Sequence, residues 1–449
     1  MTTRIMFLLG ISLALACTGA ARADDWPQWR GPRRDGVWRE SGVVQRLPSQ
    51  LDVRWRTPIG GGFAGPAVAD GRVFVCDRVV PADEDVPDSR WDRTDPVRGS
   101  ERVLCLDAAT GRTVWTHEYA CRYTLSYPAG PRATPTVDDD RVYTVGAMGD
   151  LKCLAADTGR VLWAKNFVED FGTQMNPWGM ASAPLVDGQR LIVLCGGADG
   201  GCVQALDKHT GEEIWRALDA VDPGYSSPVI IESGGVRQLI VWNPVELYGL
   251  DPASGAVYWH HPLATKMGHS IATPVFDATS NRVFVSSFFA GPLMLQLGDD
   301  KPSARVLWRG DSQSELPGRT DKLHVLMSTP ALVGDHLYGV GGYGHLRCLE
   351  AATGRRVWET LDATGEARWS NAFMIRHEDR FFLFNEHGQL ITAELSPAGY
   401  RETSRAQLIE PTQRARRRDI VWSHPAFANR SVYARNDKAI VCVDLAGPY

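Results

Sequence analysis

Hydrophobic positions along this chain fall in short runs. GRVFVCD, DRVYTVG, QRLIVLC, NRVFVSS and DHLYGVG are alternating or fully apolar segments bounded by Gly, Asp, Asn or Ser. Runs of that length between turn residues predict strands. A shorter strand precedes each run. The openings are AGPAV, ATPTV, SAPLV, SSPVI, ATPVF, STPAL, SNAFM and SHPAF, with Pro at positions 66, 135, 184, 228, 274, 330 and 425 and Ala372 in the seventh. Proline cannot donate to a ladder, so it fits the start of a strand at a sheet margin. A hairpin follows. LCLDAATGRTVW ends at Trp115, LKCLAADTGRVLW at Trp163, QALDKHTGEEIW at Trp215, YGLDPASGAVYW at Trp259 and LRCLEAATGRRVW at Trp358. Trp308 closes a looser copy, and Trp55 in LDVRWRTPI is an isolated last strand. The Asp and Thr/Ser bond their own backbone across the turn, and the Gly accepts the left-handed conformation of a G1-bulge hairpin.

Each unit therefore holds four strands, the content of a β-propeller blade. There are eight opening motifs but seven Trp-ending strands, and chain order resolves the difference. Trp55 precedes the first opening, and the last unit runs out after three strands. The N-terminal strand can complete the C-terminal blade and leave the ring without a free edge. The predicted fold is all-β: an eight-bladed propeller of four-stranded antiparallel blades over residues 51–449, preceded by a leader at 24–50. The seventh unit, from Asn371 to about Ile409, has lost the turn signature and the Trp. Composition agrees, with 44 Gly, 27 Pro and 15 Trp among 449 residues. At about 150 residues per domain the length suggests three domains; the repeat replaces them with one ring. Trp26, Trp29 and Trp38 lie outside the repeat and are expected to pin the leader to the propeller.

The Asp-x-x-Thr/Ser-Gly-x-x-x-Trp pattern resembles the tryptophan-docking motif of the pyrroloquinoline quinone (PQQ) repeat family, and DDWPQWRGPRRDGVW is similar to the leader of PQQ-like propeller proteins. The resemblance implies that Trp55, Trp115, Trp163, Trp215, Trp259, Trp308 and Trp358 stack between neighbouring blades. Two functional branches share the pattern. Quinoprotein alcohol and glucose dehydrogenases bind PQQ over the propeller axis; BamB-like proteins bind no cofactor and act as scaffolds in outer-membrane protein assembly. This chain has no Cys-Cys pair and no C-x-x-C-H, and about 53 residues per blade leave little room for insertions. PQQ catalysis would also require a calcium ion held by Glu, Asn or Asp oxygens and an Asp base, and no spacing singles out such a set. The expectation is a non-catalytic scaffold with no cofactor and no metal. The alternative is a PQQ- and calcium-dependent alcohol or sugar dehydrogenase with a minimal site.

Candidate binding residues lie three positions before the strand openings: Phe63, Arg132, Ala181, Tyr225, Ile271, Met327, Trp369 and Trp422. The opening strand is expected to be innermost, which would gather these side chains at one mouth of the axial funnel. Aromatics and an Arg there suit stacking and anion capture; the competing reading is that they plug the axis. His269, His324 and His424 fall near the same mouth without metal-ligand spacing. Arg414, Arg416, Arg417 and Arg418 form the one concentrated charge run, either a solvated loop or a basic lip for an acidic partner. The insertion from Asp77 to Ser100 reads as an exposed hairpin loop, with a partner contact or calcium loop as the sharper reading. No Ser-His-Asp, HExxH, P-loop or Rossmann signature is present.

A net charge of −5 and a pI near 6.1 give no overall attraction to nucleic acid or anionic membrane. Arg4, the apolar run Ile5 to Ala16 and Ala21-Arg22-Ala23 read as a signal peptide over residues 1–23. Leu13 to Cys17 resembles a bacterial lipobox, which would place a lipid anchor at Cys17. No later stretch is long and apolar enough for a transmembrane helix. Export to the periplasm or cell envelope is expected, with a protein or peptide partner, which the resemblance implies is an outer-membrane assembly component. Cys105, Cys153, Cys348 and Cys442 share one repeat position and read as buried packing residues. Cys195 and Cys202 flank a Gly-rich hairpin tip and are the one pair placed to form a disulfide.

Overall fold

The computed structural model describes residues 24–86, 95–197 and 199–447. Eight four-stranded antiparallel sheets form the ring. Blades 1 to 7 occupy residues 67–120, 136–166, 185–217, 229–262, 275–309, 331–360 and 372–407, each running in order from its opening strand. Blade 8 takes three strands from residues 426–444, and Val53–Pro58 supplies the fourth, with Trp55 opposite Cys442 and Pro58 opposite Ala439. The blade number and the closure by the N-terminal strand are those the repeat predicts. A small hairpin, Gln413–Ala415 with Arg418–Ile420, lies between blades 7 and 8. The signal-peptide segment and Cys17 fall outside the described residues, as do residues 87–94 of the blade 1 insertion. Asp77 is not part of that loop. It sits fully buried in strand Arg72–Val79, ion-paired to Arg102 at 2.5 Å.

The seams between blades show why the motif recurs. The indole Nε1 of Trp115 in blade 1 donates to the Ala156 carbonyl in blade 2 at 2.9 Å. Trp55, Trp163, Trp215, Trp308 and Trp358 make the same reach, to Ala108, Lys208, Pro252, Ala351 and Ser396 of the next blade, at 2.8–3.3 Å. The receiving turn must also leave room for the ring. Gly159 has φ +71°, and a Cβ there would lie 2.5 Å from Trp115. The motif glycine thus serves its own turn and its neighbour's tryptophan. Cys105, Cys153, Cys348 and Cys442 sit directly across their blades from Trp115, Trp163, Trp358 and Trp55, all four thiols free and buried. Cys195 and Cys202 are also free; the Cys195 thiol donates to the Gly201 carbonyl at 3.3 Å, so the hairpin tip is not bridged.

Two seams depart from the rule. Blade 5 lacks the Asp-Gly turn, and Trp259 of blade 4 donates instead to Gln238 Oε1 in its own sheet at 2.7 Å. In blade 7, Ser404 holds the docking position, opposite Thr392 at the same bulge. The leader fills that gap. The Leu47 amide donates to Ser404 Oγ at 2.7 Å, and Val43, Leu47 and Leu51 join the buried cluster shared by blades 7, 8 and 1. Further back, Trp26 pairs with Val68 of blade 1, and Trp38 donates its amide to Arg376 of blade 7.

Trp115 is half-buried, so Trp115→Ala should cost about 3 kcal/mol, the low end of the range for truncating a large aromatic. Trp115→Phe, which keeps most of the ring and loses the Nε1 bond, should cost less, with about 1 kcal/mol from the hydrogen bond. Denaturant unfolding measures both, and a Trp115→Phe variant as stable as the wild type would remove the hydrogen bond from the account of the seam.

A candidate binding funnel at the propeller axis

The opening strands are short, three residues in most blades, and converge on the axis. Hydroxyl side chains at the starts of several of them tie neighbouring blades together. Ser227 Oγ accepts from the Ala183 amide at 3.0 Å, Thr329 Oγ1 accepts from the Thr273 amide at 3.2 Å, and Thr136 Oγ1 donates to the Pro184 carbonyl at 2.6 Å. Above this layer lies a cavity of about 210 Å³. Its lining contains Phe63, Arg132, Ala181, Tyr225, Ile271, Met327, Trp369 and Trp422, one residue from each of the eight opening motifs.

The axis is blocked on the far side by the leader. Trp29 enters the lining, its Nε1 donating to Thr273 Oγ1 of blade 5 at 2.7 Å and its ring meeting His424 of blade 8 edge-on at 4.3 Å. Behind it, the buried Arg34 guanidinium donates to the carbonyls of Ala183, Pro184 and Pro228 at blades 3 and 4. Burial pulls its pKa down to about 9, which still leaves it charged at neutral pH. The funnel is therefore blind. Leader tryptophans were expected to pin the segment; that one of them floors the cavity was not legible, because nothing in the sequence says where the leader crosses.

Two faces line the cavity. On one side Phe63, Tyr127, Trp369 and Trp422 form a continuous aromatic arc, with ring centroids 6.0–6.5 Å apart. Trp369 and Tyr127 hold left-handed backbone, with φ of 69° and 54°. A non-glycine residue is held there only when its surroundings over-determine it, and such positions cluster at functional sites. On the other side are Trp178, Tyr225, Ile271 and His269, with the Trp178 and His269 rings 4.9 Å apart. Tyr127, Trp178, Leu326 and Phe373 escaped the sequence reading. They sit in loops or at offsets that the repeat does not index, although SYPAGP and NPWGM each carry an aromatic beside a proline.

The charged candidates separate. Arg132 donates to the carbonyls of Gly130, Ser126 and Tyr127, so its guanidinium braces its own loop, 5.2 Å from the Phe63 centroid, and is not held ready for an anion. Arg418, half-buried, pairs with the buried Glu386 carboxylate, 2.9 Å from Oε1, and the same carboxylate accepts from Trp422 Nε1 at 3.1 Å. Arg414 lies 3.9 Å from Asp419. Arg416 and Arg417 are exposed at the hairpin turn, with the Arg416 guanidinium 4.9 Å from the Trp369 centroid. Of the histidines, His269 and His424 line the cavity, whereas His324 is buried away from it, with Nδ1 3.2 Å from the Phe288 carbonyl. Burial, reinforced by Arg30, lowers the His424 pKa to about 3; burial, reinforced by Arg368, lowers that of His269 to about 4. Both rings are neutral at physiological pH. Thr134 Oγ1 and His424 Nε2 share a hydrogen bond of 2.8 Å, while His269 Nδ1 has no partner.

Ring, seams and axial cavity together define an eight-bladed propeller of the PQQ-like class. A family model described as outer membrane protein assembly factor BamB matches residues 99–360 and 298–448, and the chain belongs to that family. BamB of Moranella endobia is 26% identical over 230 residues, which is 50% of this chain and 56% of that protein, so the match spans little more than half its length. Among solved structures, BamB from Moraxella catarrhalis superposes with a TM-score of 0.55 at 15% identity, over 88% of this chain and 99% of that one. The quinohemoprotein alcohol dehydrogenase of Comamonas testosteroni gives 0.59 at 14% identity, over 96% and 82%. Likeness at that level establishes the fold and leaves the branch open.

The donor set of the cavity does not fit the quinone branch. Calcium takes six to eight oxygens from carboxylates, carbonyls and water, yet the lining contains no Asp, Glu, Asn or Gln. Among the described residues no group of three His, Cys, Asp or Glu side chains could hold a metal ion. No carboxylate in the lining is placed to act as a base.

Two outcomes follow. The unfolded chain takes up protons on His269 and His424 near pH 6.5 and the folded chain only near pH 3–4, so their contribution to stability is complete above pH 6.5 and is lost as pH falls. The decline in melting temperature between pH 6.5 and 4 should be shallower in His424→Gln; an unchanged slope would show that the ring titrates normally. Arg418→Glu should destabilise by about 2–3 kcal/mol by stranding the buried Glu386 carboxylate, whereas Arg416→Glu should leave denaturant stability within about 0.5 kcal/mol.

Proposed function

We propose that this protein is an exported, non-catalytic scaffold of outer-membrane protein assembly, working in the periplasm or cell envelope and holding a protein partner at its funnel face. The observation that carries the reading is the lining of the axial cavity. It joins an aromatic arc to aliphatic side chains and neutral histidines, and offers neither carboxylate or amide oxygens for calcium nor a carboxylate base. Such a surface binds by burying apolar area and is not equipped for proton or hydride chemistry. Family membership supports the assembly role. Among the described residues no helix is long and apolar enough to cross a membrane.

Photo-crosslinking residues placed at Leu316, exposed next to the Glu315–Arg368 pair, and at Arg417, exposed at the hairpin turn, test this in cells. Mass spectrometry of the adducts should identify outer-membrane assembly components. The purified protein, supplied with PQQ and calcium, should show neither a rise in melting temperature nor dye-linked oxidation of ethanol or glucose. Saturable oxidation would overturn the scaffold reading.

A further inference from the structure

The funnel is blind, small and charged on one lip, and those three facts together restrict what it can hold. Trp29 and Arg34 close the far end, so no extended chain can thread the axis. A volume of about 210 Å³ lies below the range of roughly 300–1,000 Å³ of sites that enclose a drug-sized ligand. It is suited to a single large side chain inserted from the open mouth. The arc of Phe63, Tyr127, Trp369 and Trp422 offers edges and faces to a planar ring. His269, 6% exposed, adds a neutral ring to the opposite wall of the same cavity.

Charge at the mouth selects what flanks that side chain. Glu315 is committed to Arg368 at 3.1 Å, Glu386 to Arg418, and Asp419 stands near Arg414. Among the described residues Arg416 and Arg417 have no acidic partner, and their turn lies beside the aromatic arc. Carboxylates on a bound segment can reach them without displacing an existing pair. Their exposure keeps each contact weak and screened by salt, so they favour acidic flanks while the ring supplies the affinity.

We infer that the axial funnel is an anchor pocket for one aromatic residue, tyrosine or tryptophan, in a flexible acidic segment of a partner polypeptide. The inference rests on the scaffold reading and narrows it from a face to one side chain and its flanks.

Fluorescence anisotropy with labelled, end-blocked heptapeptides tests it: Gly-Glu-Glu-Tyr-Glu-Glu-Gly, the same peptide with Ala at the centre, and the same with Lys for Glu. The Tyr peptide should bind at least tenfold more tightly than the Ala peptide and more tightly than the Lys-flanked one. Ala181→Trp fills the cavity from a half-buried rim position and should lower affinity tenfold or more with the melting temperature retained. Ile271→Trp does the same from another blade if the first variant folds poorly. Arg416→Glu with Arg417→Glu should abolish the preference for Glu over Lys flanks and keep the preference for Tyr over Ala. Equal binding of the Tyr and Ala peptides, or wild-type affinity in both filled variants, would overturn the proposal. Its failure is separable from that of the scaffold reading. Crosslinks to assembly components with no peptide selectivity would sink the anchor alone, and selective peptide binding with no such crosslinks would sink the assembly role alone.

Discussion

Eight separate sheets become one molecule through the seam between neighbours. Six of the seven docking tryptophans reach forward to a backbone carbonyl of the next blade. A buried indole N–H needs an acceptor, and a ring of that size needs a gap free of Cβ atoms. The Asp-x-x-Thr-Gly turn supplies both, since its glycine is at once the left-handed residue of its own hairpin and the floor for its neighbour's ring. The motif in one blade is thus half of a joint completed by the tryptophan of the blade before it.

The leader matters because one of the two irregular seams has no tryptophan at all. Ser404 stands where blade 7 should present a tryptophan, and residues 43–51 pack into that gap while the preceding turn crosses the axial channel. The same segment that repairs the weakest seam also floors the cavity with Trp29. Stability of the ring and depth of the funnel are therefore coupled through one short stretch of chain.

The funnel itself is built without a repeat. Each blade contributes one rim residue from the same structural position, but the eight differ in size and polarity, so the mouth has an aromatic side and a mixed side. Desolvation keeps the two lining histidines neutral, and the arginines deep in the rim are spent on carbonyls and on Glu386. What remains uncompensated is the turn at Arg416 and Arg417. An apolar cavity with charge confined to one lip favours orientation of a bound segment as well as its capture.

The blade number, the closure by the strand around Trp55 and the eight positions at the mouth could be read from residues alone. All of these follow from local signals, strand period and turn chemistry, that repeat at fixed offsets. Only the tertiary structure decided which charges are free. Arg132 and Arg418 look equivalent to Arg416 in a string of residues, and differ because carbonyls of residues 126–130 and the Glu386 carboxylate converge on them in space. Tyr127 and Trp178 enter the site from irregular loops whose paths no periodicity encodes. The floor at Trp29 depends on contacts between residues 244 positions apart. Repeats make a fold legible because every copy restates the same local rule, whereas a binding site is assembled where the copies differ, and those differences acquire meaning only once the ring brings them together.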